Sequence, residues 1–150
     1  RYLVLIEAAD ILPRLFERVL IPEIVAVELS RPAAPPVVRQ WLTNNPVWLE
    51  RHTVPVRAGE FPVPLGAGER AAIALAEVIR PLVLLTDDRA AMTEARRRGL
   101  EATGMLGLLI RAARLGWIDL RAAFARLKTT NFRYRPQLLD ALLEEHEGKT

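Results

Sequence analysis

The sequence contains no cysteine, one serine and two histidines, and this scarcity removes several kinds of chemistry. Without cysteine there are no disulfides, no thiolate metal sites and no cysteine nucleophiles. Ser30, His52 and His146 are too few for a usual zinc site or a Ser-His triad. Any hydrolytic chemistry must therefore come from carboxylates.

Long apolar runs are also missing, because none approaches the roughly 20 residues that cross a bilayer. No signal peptide is visible, so we expect a cytoplasmic protein that does not contact a membrane. The 150 residues are nevertheless 51% hydrophobic, which is too apolar for a disordered chain and suits one domain over residues 1–150. The chain starts at Arg1 rather than at Met, and we expect an upstream segment to be absent.

Charge is distributed unevenly along the chain. Residues 1–88 carry 9 basic and 11 acidic side chains, whereas residues 89–135 carry 11 basic and 3 acidic ones. An acidic front half followed by a basic stretch suits a polyanionic substrate held beside a cation-binding centre. Solvated helix faces are the alternative explanation for so many arginines.

The spacing of apolar residues predicts helices separated by short strands. We expect helices at 3–9, 14–18, 22–29, 37–43, 69–79, 89–98, 104–115, 120–128 and 136–145, and strands at 19–21, 47–56, 82–86 and 100–103. The unbroken apolar run 82–86 indicates a strand covered on both faces. Helices and strands alternate from 69 to 115, which predicts βαβ units and an α/β fold with a parallel sheet.

Two adjacent acids, Asp87 and Asp88, follow the predicted strand 82–86 directly. In open parallel sheets the working site lies at the carboxyl ends of the strands. Two neighbouring carboxylates repel one another there unless a cation or a proton intervenes. The alternative is a helix cap, in which one aspartate caps the helix starting at Arg89 while the other faces the site.

Two glutamates complete the set of candidate acids. Glu69 follows Gly66-Ala67-Gly68 in the first turn of its helix, where the helix dipole alone is an adequate explanation. Glu28 lies between Val27 and Leu29 in an otherwise apolar helix; a surface position or a salt bridge is the alternative. Taken together, hard oxygen ligands without cysteine or histidine favour Mg²⁺ or Mn²⁺, ions that promote hydrolysis of phosphate esters.

Four stretches of the sequence resemble the PIN-domain family, in particular its small predicted nucleic-acid-binding subgroup, which is related to VapC-type toxins. They are Leu20-Ile21-Pro22 with Glu28-Leu29, Gly66-Ala67-Gly68-Glu69 with Ala72-Ile73-Ala74-Leu75-Ala76, Leu84-Leu85-Thr86-Asp87-Asp88-Arg89, and Thr103-Gly104-Met105-Leu106-Gly107-Leu108-Leu109. The resemblance implies a three-layer α/β/α fold with a central parallel sheet flanked by helices. It also implies an Mg²⁺- or Mn²⁺-dependent ribonuclease site.

By position, Glu28 and Glu69 are similar to the family's helix-borne acids, and Asp87, Asp88 or both to the acid after the strand. Two features depart from the family pattern. No opening strand ending in aspartate precedes Arg1, so we expect the domain to lack its first strand and first metal ligand. Thr103-Gly104 stands where many members carry a further acid.

The resulting prediction is a metal-dependent endoribonuclease in which Glu28, Glu69, Asp87 and Asp88 hold the ion, with the toxin of a toxin–antitoxin pair as one possible role. Thr86 or Thr103 would position the attacking water. The predicted RNA contacts are Arg89, Arg96, Arg97 and Arg98. We expect RNA as substrate, a homodimer, and an antitoxin protein as a further partner.

Two alternatives stay open. The first is a catalytically weak or inactive PIN-like module that binds RNA or a protein partner; the short set of acids and Thr103-Gly104 favour it. The second is an interaction module whose helices dimerise or dock an antitoxin through apolar side chains, namely those of Leu3, Leu5, Ile6, Trp41, Leu108 and Leu109. Core packing is the commoner use of such residues.

Overall fold

The computed structural model describes residues 1–57, 59–81 and 83–148, and these form helices around short parallel strands. The α/β class is therefore confirmed. In chain order the elements are α1 (Tyr2–Leu5), α2 (Ile11–Leu15), β1 (Val19–Pro22), α3 (Glu23–Ser30), α4 (Pro36–Thr43), β2 (Leu49–His52), α5 (Ala67–Ile79), β3 (Leu84–Leu85), α6 (Arg89–Arg97), β4 (Ala102–Thr103), α7 (Met105–Arg114), α8 (Leu120–Leu127) and α9 (Pro136–Gly148).

The strands pair as two parallel ribbons. β1 pairs with β2 from Val19 opposite Leu49 to Pro22 opposite His52. β3 pairs with β4, with Leu84 opposite Ala102. Parallel partners need a crossover between them, which α3 and α4 supply for the first ribbon and α6 for the second. Within the described residues the central layer is thus divided into two ribbons flanked by helices.

The run 82–86 differs from its prediction in two ways. Only Leu84 and Leu85 are paired as strand residues, and Leu82 lies outside the described residues. Leu84 is buried, whereas Leu85 is 38% exposed, so the prediction of a strand covered on both faces was wrong. β3 has β4 as its one strand partner in the described structure, so its other edge is open.

Several boundaries moved by a few residues for local reasons. The predicted helix 3–9 is only one turn, α1, because Glu7 adopts a left-handed φ of 61°. The next helix therefore starts at Ile11 rather than at residue 14. The predicted strand 47–56 shrinks to β2, and Pro55, which lacks a backbone N–H, lies within the part that is not strand.

Two hydrophobic clusters hold the elements together. The larger is centred on Ile6, Val38, Leu109, Leu127 and Leu139, from α1, α4, α7, α8 and α9 together with the turn after α1. The smaller packs α5 and α6 around β3 and β4. Four of the apolar residues considered for docking are buried in the larger cluster, and the other two pack partly buried against it; they are Leu3, Ile6, Leu108 and Leu109, and Leu5 and Trp41. These side chains therefore build the core and do not form a docking surface.

Each helix in the described part of the chain is too short or too polar to traverse a lipid bilayer.

Candidate active site

The amino end of α5 brings together two of the predicted acids. Glu28 reaches it from α3, and its Oε2 lies 3.3 Å from the point where a Cβ on Gly68 would stand. The side chain of Val25, one turn earlier on α3, lies 3.2 Å from the same point. Gly68 is buried, so its missing side chain is what allows α3 to approach α5 this closely.

Glu69 occupies the first turn of α5 and folds back over the residue that precedes the helix. Its carboxylate fills the space that a Cβ on Gly66 would need. The two glycines of Gly66-Ala67-Gly68 thus make room for one carboxylate each. Both glutamates are half-buried, and neither carboxylate has a hydrogen-bond or ion-pair partner among the described residues. The helix dipole favours negative charge at this end by only about 0.3–1 kcal/mol.

Asp87 lies at the end of β3 and is hydrogen-bonded to the start of α7. The backbone N–H of Met105, at the start of α7, donates to its Oδ1 at 2.9 Å. The same Oδ1 lies 2.8 Å from where a Cβ on Gly104 would stand, so Gly104 permits the approach. Asp87 therefore lies at the amino end of α7.

Asp88 has the capping role that the sequence left open. Its Oδ1 accepts a hydrogen bond of 2.8 Å from the backbone N–H of Ala91, in the first turn of α6. Its own N–H donates to Oγ1 of Thr86 at 3.2 Å. The Thr103 hydroxyl lies against α7, where Gly107 leaves room for it. Within the pair, the carboxylates of Asp87 and Asp88 thus serve two different helices.

The four acids are not gathered into one metal cage. Among the described residues there is no group of three or more histidine, aspartate or glutamate side chains placed to hold one ion. Glu28 and Glu69 share the amino end of α5, Asp87 serves α7, and Asp88 serves α6. The donors themselves suit Mg²⁺ or Mn²⁺, since both ions prefer carboxylate oxygen. Mg²⁺ sites commonly use one or two carboxylates and complete the shell with water and substrate phosphate, which fits the glutamate pair.

The predicted RNA-binding arginines differ in their exposure and in the partners that they bind within the protein. Arg89 is exposed at the start of α6, and Arg96 donates to the Ala102 carbonyl at 3.2 Å. Arg97 pairs with Glu94, although its side chain is 59% exposed. Arg98 is only 12% exposed and binds both Glu94 and Glu77. The geometry of Arg98 therefore gives no support to its predicted RNA contact.

Arg98 instead fastens the segment before α5 to α6. Its Nη2 donates to the Glu60 carbonyl at 2.8 Å, and its guanidinium stacks 4.1 Å from the centre of the Phe61 ring. Its partner Glu94 is buried, and hydrogen bonds from Arg97 and then Arg98 lower the Glu94 pKa to about 2. The run Arg96-Arg97-Arg98 is the one sequence signal for this cluster, and it equally fits a solvated face.

The chain was compared with known families, curated proteins and solved structures. The model of the family DUF3368, described as a PIN domain, matches residues 1–148. Neither the curated proteins nor the solved structures gave a match. A match over nearly the whole length agrees with the parallel ribbons flanked by helices and with the acids at the ends of β3 and α5. This chain belongs to the PIN-domain family, whose fold is of the nuclease type.

Proposed function

We propose that this protein is a metal-dependent endoribonuclease of PIN type. The observation that carries the proposal is that Glu28 lies against Gly68 and Glu69 against Gly66, both at the amino end of α5. Both carboxylates are half-buried and lack a cationic partner among the described residues. Two such acids at one end of a helix favour the binding of a cation or a proton. A divalent ion satisfies both at once.

In this proposal Glu28 and Glu69 hold Mg²⁺ or Mn²⁺. When bound, such an ion neutralises charge on a phosphodiester and promotes formation of a hydroxide nucleophile. Asp87 keeps one carboxylate oxygen for α7 and offers the other at the end of β3. Asp88 orients α6 through its cap rather than touching the substrate. Thr86 and Thr103 remain the predicted water-positioning residues, because their hydroxyls lie next to the aspartates and to Gly104.

The basic stretch that follows the site would attract RNA. Arg89 is exposed one residue after the aspartate pair, and the side chain of Arg97 is 59% exposed on the same helix. Long-range attraction between this surface and a polyanion raises association rates and weakens with added salt. The net charge of +3 is consistent with an RNA substrate.

The proposal is tested by incubating a labelled single-stranded RNA with the protein in Mn²⁺ or Mg²⁺. We expect cleavage that EDTA abolishes and that Glu28→Gln and Glu69→Gln each reduce at least 100-fold, in line with the loss of a group that stabilises the transition state. Glu144→Gln, which changes an exposed glutamate on α9, is the matched control. Cleavage that survives both substitutions and EDTA would reject the proposal.

A second candidate function is a PIN-like module that binds RNA or a protein without turnover. It is favoured by the capping roles of Asp87 and Asp88 and by the lack of a three-acid group in the described ranges. Salt-sensitive RNA binding with no products after long incubation in Mn²⁺ would support it. Turnover that EDTA abolishes would rule it out.

The toxin role and the homodimer extend the first proposal. A toxic ribonuclease would arrest growth of cells that express it, and Glu69→Gln would relieve the arrest. Sedimentation of the purified protein would measure whether it dimerises. We expect a co-expressed antitoxin to bind the wild-type protein and to restore growth.

A further inference from the structure

A cleft of about 290 Å³ opens at the carboxyl ends of β1 and β2. Its walls come from the start of α3, the residues after β2 and the first turns of α5, and they include Glu23, His52, Ala67 and Arg70. Ala67 lies between the glycines that accommodate Glu28 and Glu69. The cleft and the proposed metal ligands therefore share the first turn of α5.

Arg70 is the charged residue of this cleft that has no partner in the described structure. Its Nε is fully buried and has no hydrogen-bond acceptor within residues 1–57, 59–81 and 83–148. A buried donor on a charged group is expensive to leave unsatisfied. No ion pair joins Arg70 to an acid in these ranges either. The site thus carries a positive charge whose hydrogen-bonding capacity is not used inside the chain.

The other charges on the cleft wall are already compensated. Glu23 accepts two hydrogen bonds from the Arg51 guanidinium, at 2.8 and 2.6 Å. Nε2 of His52 lies 3.3 Å from a carboxylate oxygen of Glu50. Because these groups are paired, Arg70 is the uncompensated charge among the residues that line the cleft.

The placement of Arg70 in its helix also needs an explanation. It lies near the amino end of α5, where the helix dipole disfavours a cation. Arg70 also borders a second cleft of about 260 Å³, whose wall includes Arg57. A guanidinium between two clefts, in a position that does not help the helix, is suited to an external anion.

We propose that Arg70 binds a backbone phosphate of the RNA next to the one that is cleaved. The two terminal nitrogens of the guanidinium are paired donors that match phosphate oxygens, and such charge-assisted bonds are among the strongest in proteins. The position relative to the cleaved bond rests on the proposed nuclease function, because Glu28 and Glu69 define where cleavage occurs. The phosphate contact itself does not depend on cleavage.

The test measures affinity for a short single-stranded RNA by fluorescence anisotropy in EDTA, where no metal-dependent cleavage takes place. We expect Arg70→Gln to weaken binding about tenfold and to reduce the slope of log affinity against log salt by about 0.7, the value for one phosphate contact on a single strand. Arg114→Gln, at the exposed far end of α7, is the matched control and should change neither quantity by as much. Thermal unfolding of each variant confirms that it folds.

A second arm starts with the wild-type protein, so its first readout does not depend on any variant folding. RNAs that carry one uncharged methylphosphonate linkage at a time should lose affinity at one position, and Arg70→Gln should no longer distinguish that RNA from the unmodified one. Equal affinity for all these RNAs would overturn the inference, even if metal-dependent cleavage were found. Full competition by millimolar inorganic phosphate without any methylphosphonate effect would assign the cleft to a small free anion and would also overturn it.

Discussion

The Glu28 carboxylate rests against the α carbon of Gly68, so close that a Cβ there would stand 3.3 Å from Oε2. This contact is where α3 and α5 meet at the candidate active site, and it joins a helix-borne acid to the glycine-rich start of the next helix. It explains why Gly68 and Glu28 belong to one structural unit although 40 residues separate them in the sequence.

Gly68→Ala is predicted to disturb the site more than the fold. The new methyl group would press on Glu28 and on Val25, at 3.3 and 3.2 Å, so the carboxylate must shift. Alanine also improves helix propensity by about 0.5–1 kcal/mol, which offsets the crowding. We therefore expect the free energy of unfolding to change by less than about 1 kcal/mol while RNA cleavage falls about tenfold or more.

Gly148→Ala is the matched control, since a Cβ on that glycine of α9 would meet no atom within 4 Å. It should leave cleavage unchanged. If Gly68→Ala also left cleavage and Mn²⁺ affinity unchanged, Glu28 would not be part of the working site.

Local sequence signals predicted the elements around the site well, because they depend on nearby residues. Apolar spacing after Gly66-Ala67-Gly68 placed α5 within two residues of its observed start, and Gly99, with a φ of 79°, ended α6 where a glycine was expected to. The division of the central layer into two ribbons was not predictable in this way. Strand pairing depends on contacts between distant segments, which no short window of sequence contains.

The roles of the acids were likewise predictable only where they depend on neighbouring residues. Asp87-Asp88 before a helix predicted a cap, and Asp88 provides it. The backbone turn after β3 decides which of the two aspartates caps α6. The hydrogen bond from α7 to Asp87 comes from Met105, which lies 18 positions later in the sequence. Arg70 went unnoticed because its signal, a cation near the amino end of a helix, becomes informative only once the cleft beside it is known.

Asp88→Ala should lower stability through the loss of the α6 cap. We expect a cost of about 1 kcal/mol, as is usual for a cap carboxylate replaced by alanine. Asp88→Asn should cost little because asparagine also caps helices well. The measurement is chemical unfolding of both variants, with cleavage per folded molecule as a second readout.

Asp119 offers an internal reference for that experiment, since its carboxylate accepts a 2.8 Å hydrogen bond from the Ala122 N–H at the start of α8. Asp119→Ala should cost a similar amount of stability. A loss of Mn²⁺ binding in Asp88→Asn, but not in Asp119→Asn, would show that Asp88 is a metal ligand instead.

Glu94→Gln should destabilise the protein more than Glu23→Gln does. Both glutamates pair with arginine, but the side chain of Glu94 is 3% exposed and that of Glu23 is 40% exposed. Removing the buried carboxylate leaves Arg98 without its inner partner, whereas a surface pair contributes little. The midpoints of thermal unfolding test this order, and equal midpoints would contradict it.

The stability of the protein at acidic pH should depend on Glu94 and its arginine partners. The Glu94 pKa is lowered to about 2 by Arg97 and then Arg98, so the stabilisation from this carboxylate is complete above the ordinary carboxyl pKa of about 4.5. It is lost as the pH falls from there towards 2. Glu94→Gln should therefore flatten the decline of stability between pH 4.5 and 2. Some decline will persist, because Arg18 and then His52 also lower the Glu50 pKa to about 2.

Direct measurement of Mn²⁺ binding tests the central claim, that Glu28 and Glu69 form a cation site, without relying on catalysis. Isothermal titration of the full chain with Mn²⁺, in the presence of an RNA with uncleavable linkages, should show binding that Glu28→Gln and Glu69→Gln each weaken at least tenfold, while Glu144→Gln binds like the wild type. Mn²⁺ binding of equal strength in the wild type and both variants, or no binding at all, would contradict the account.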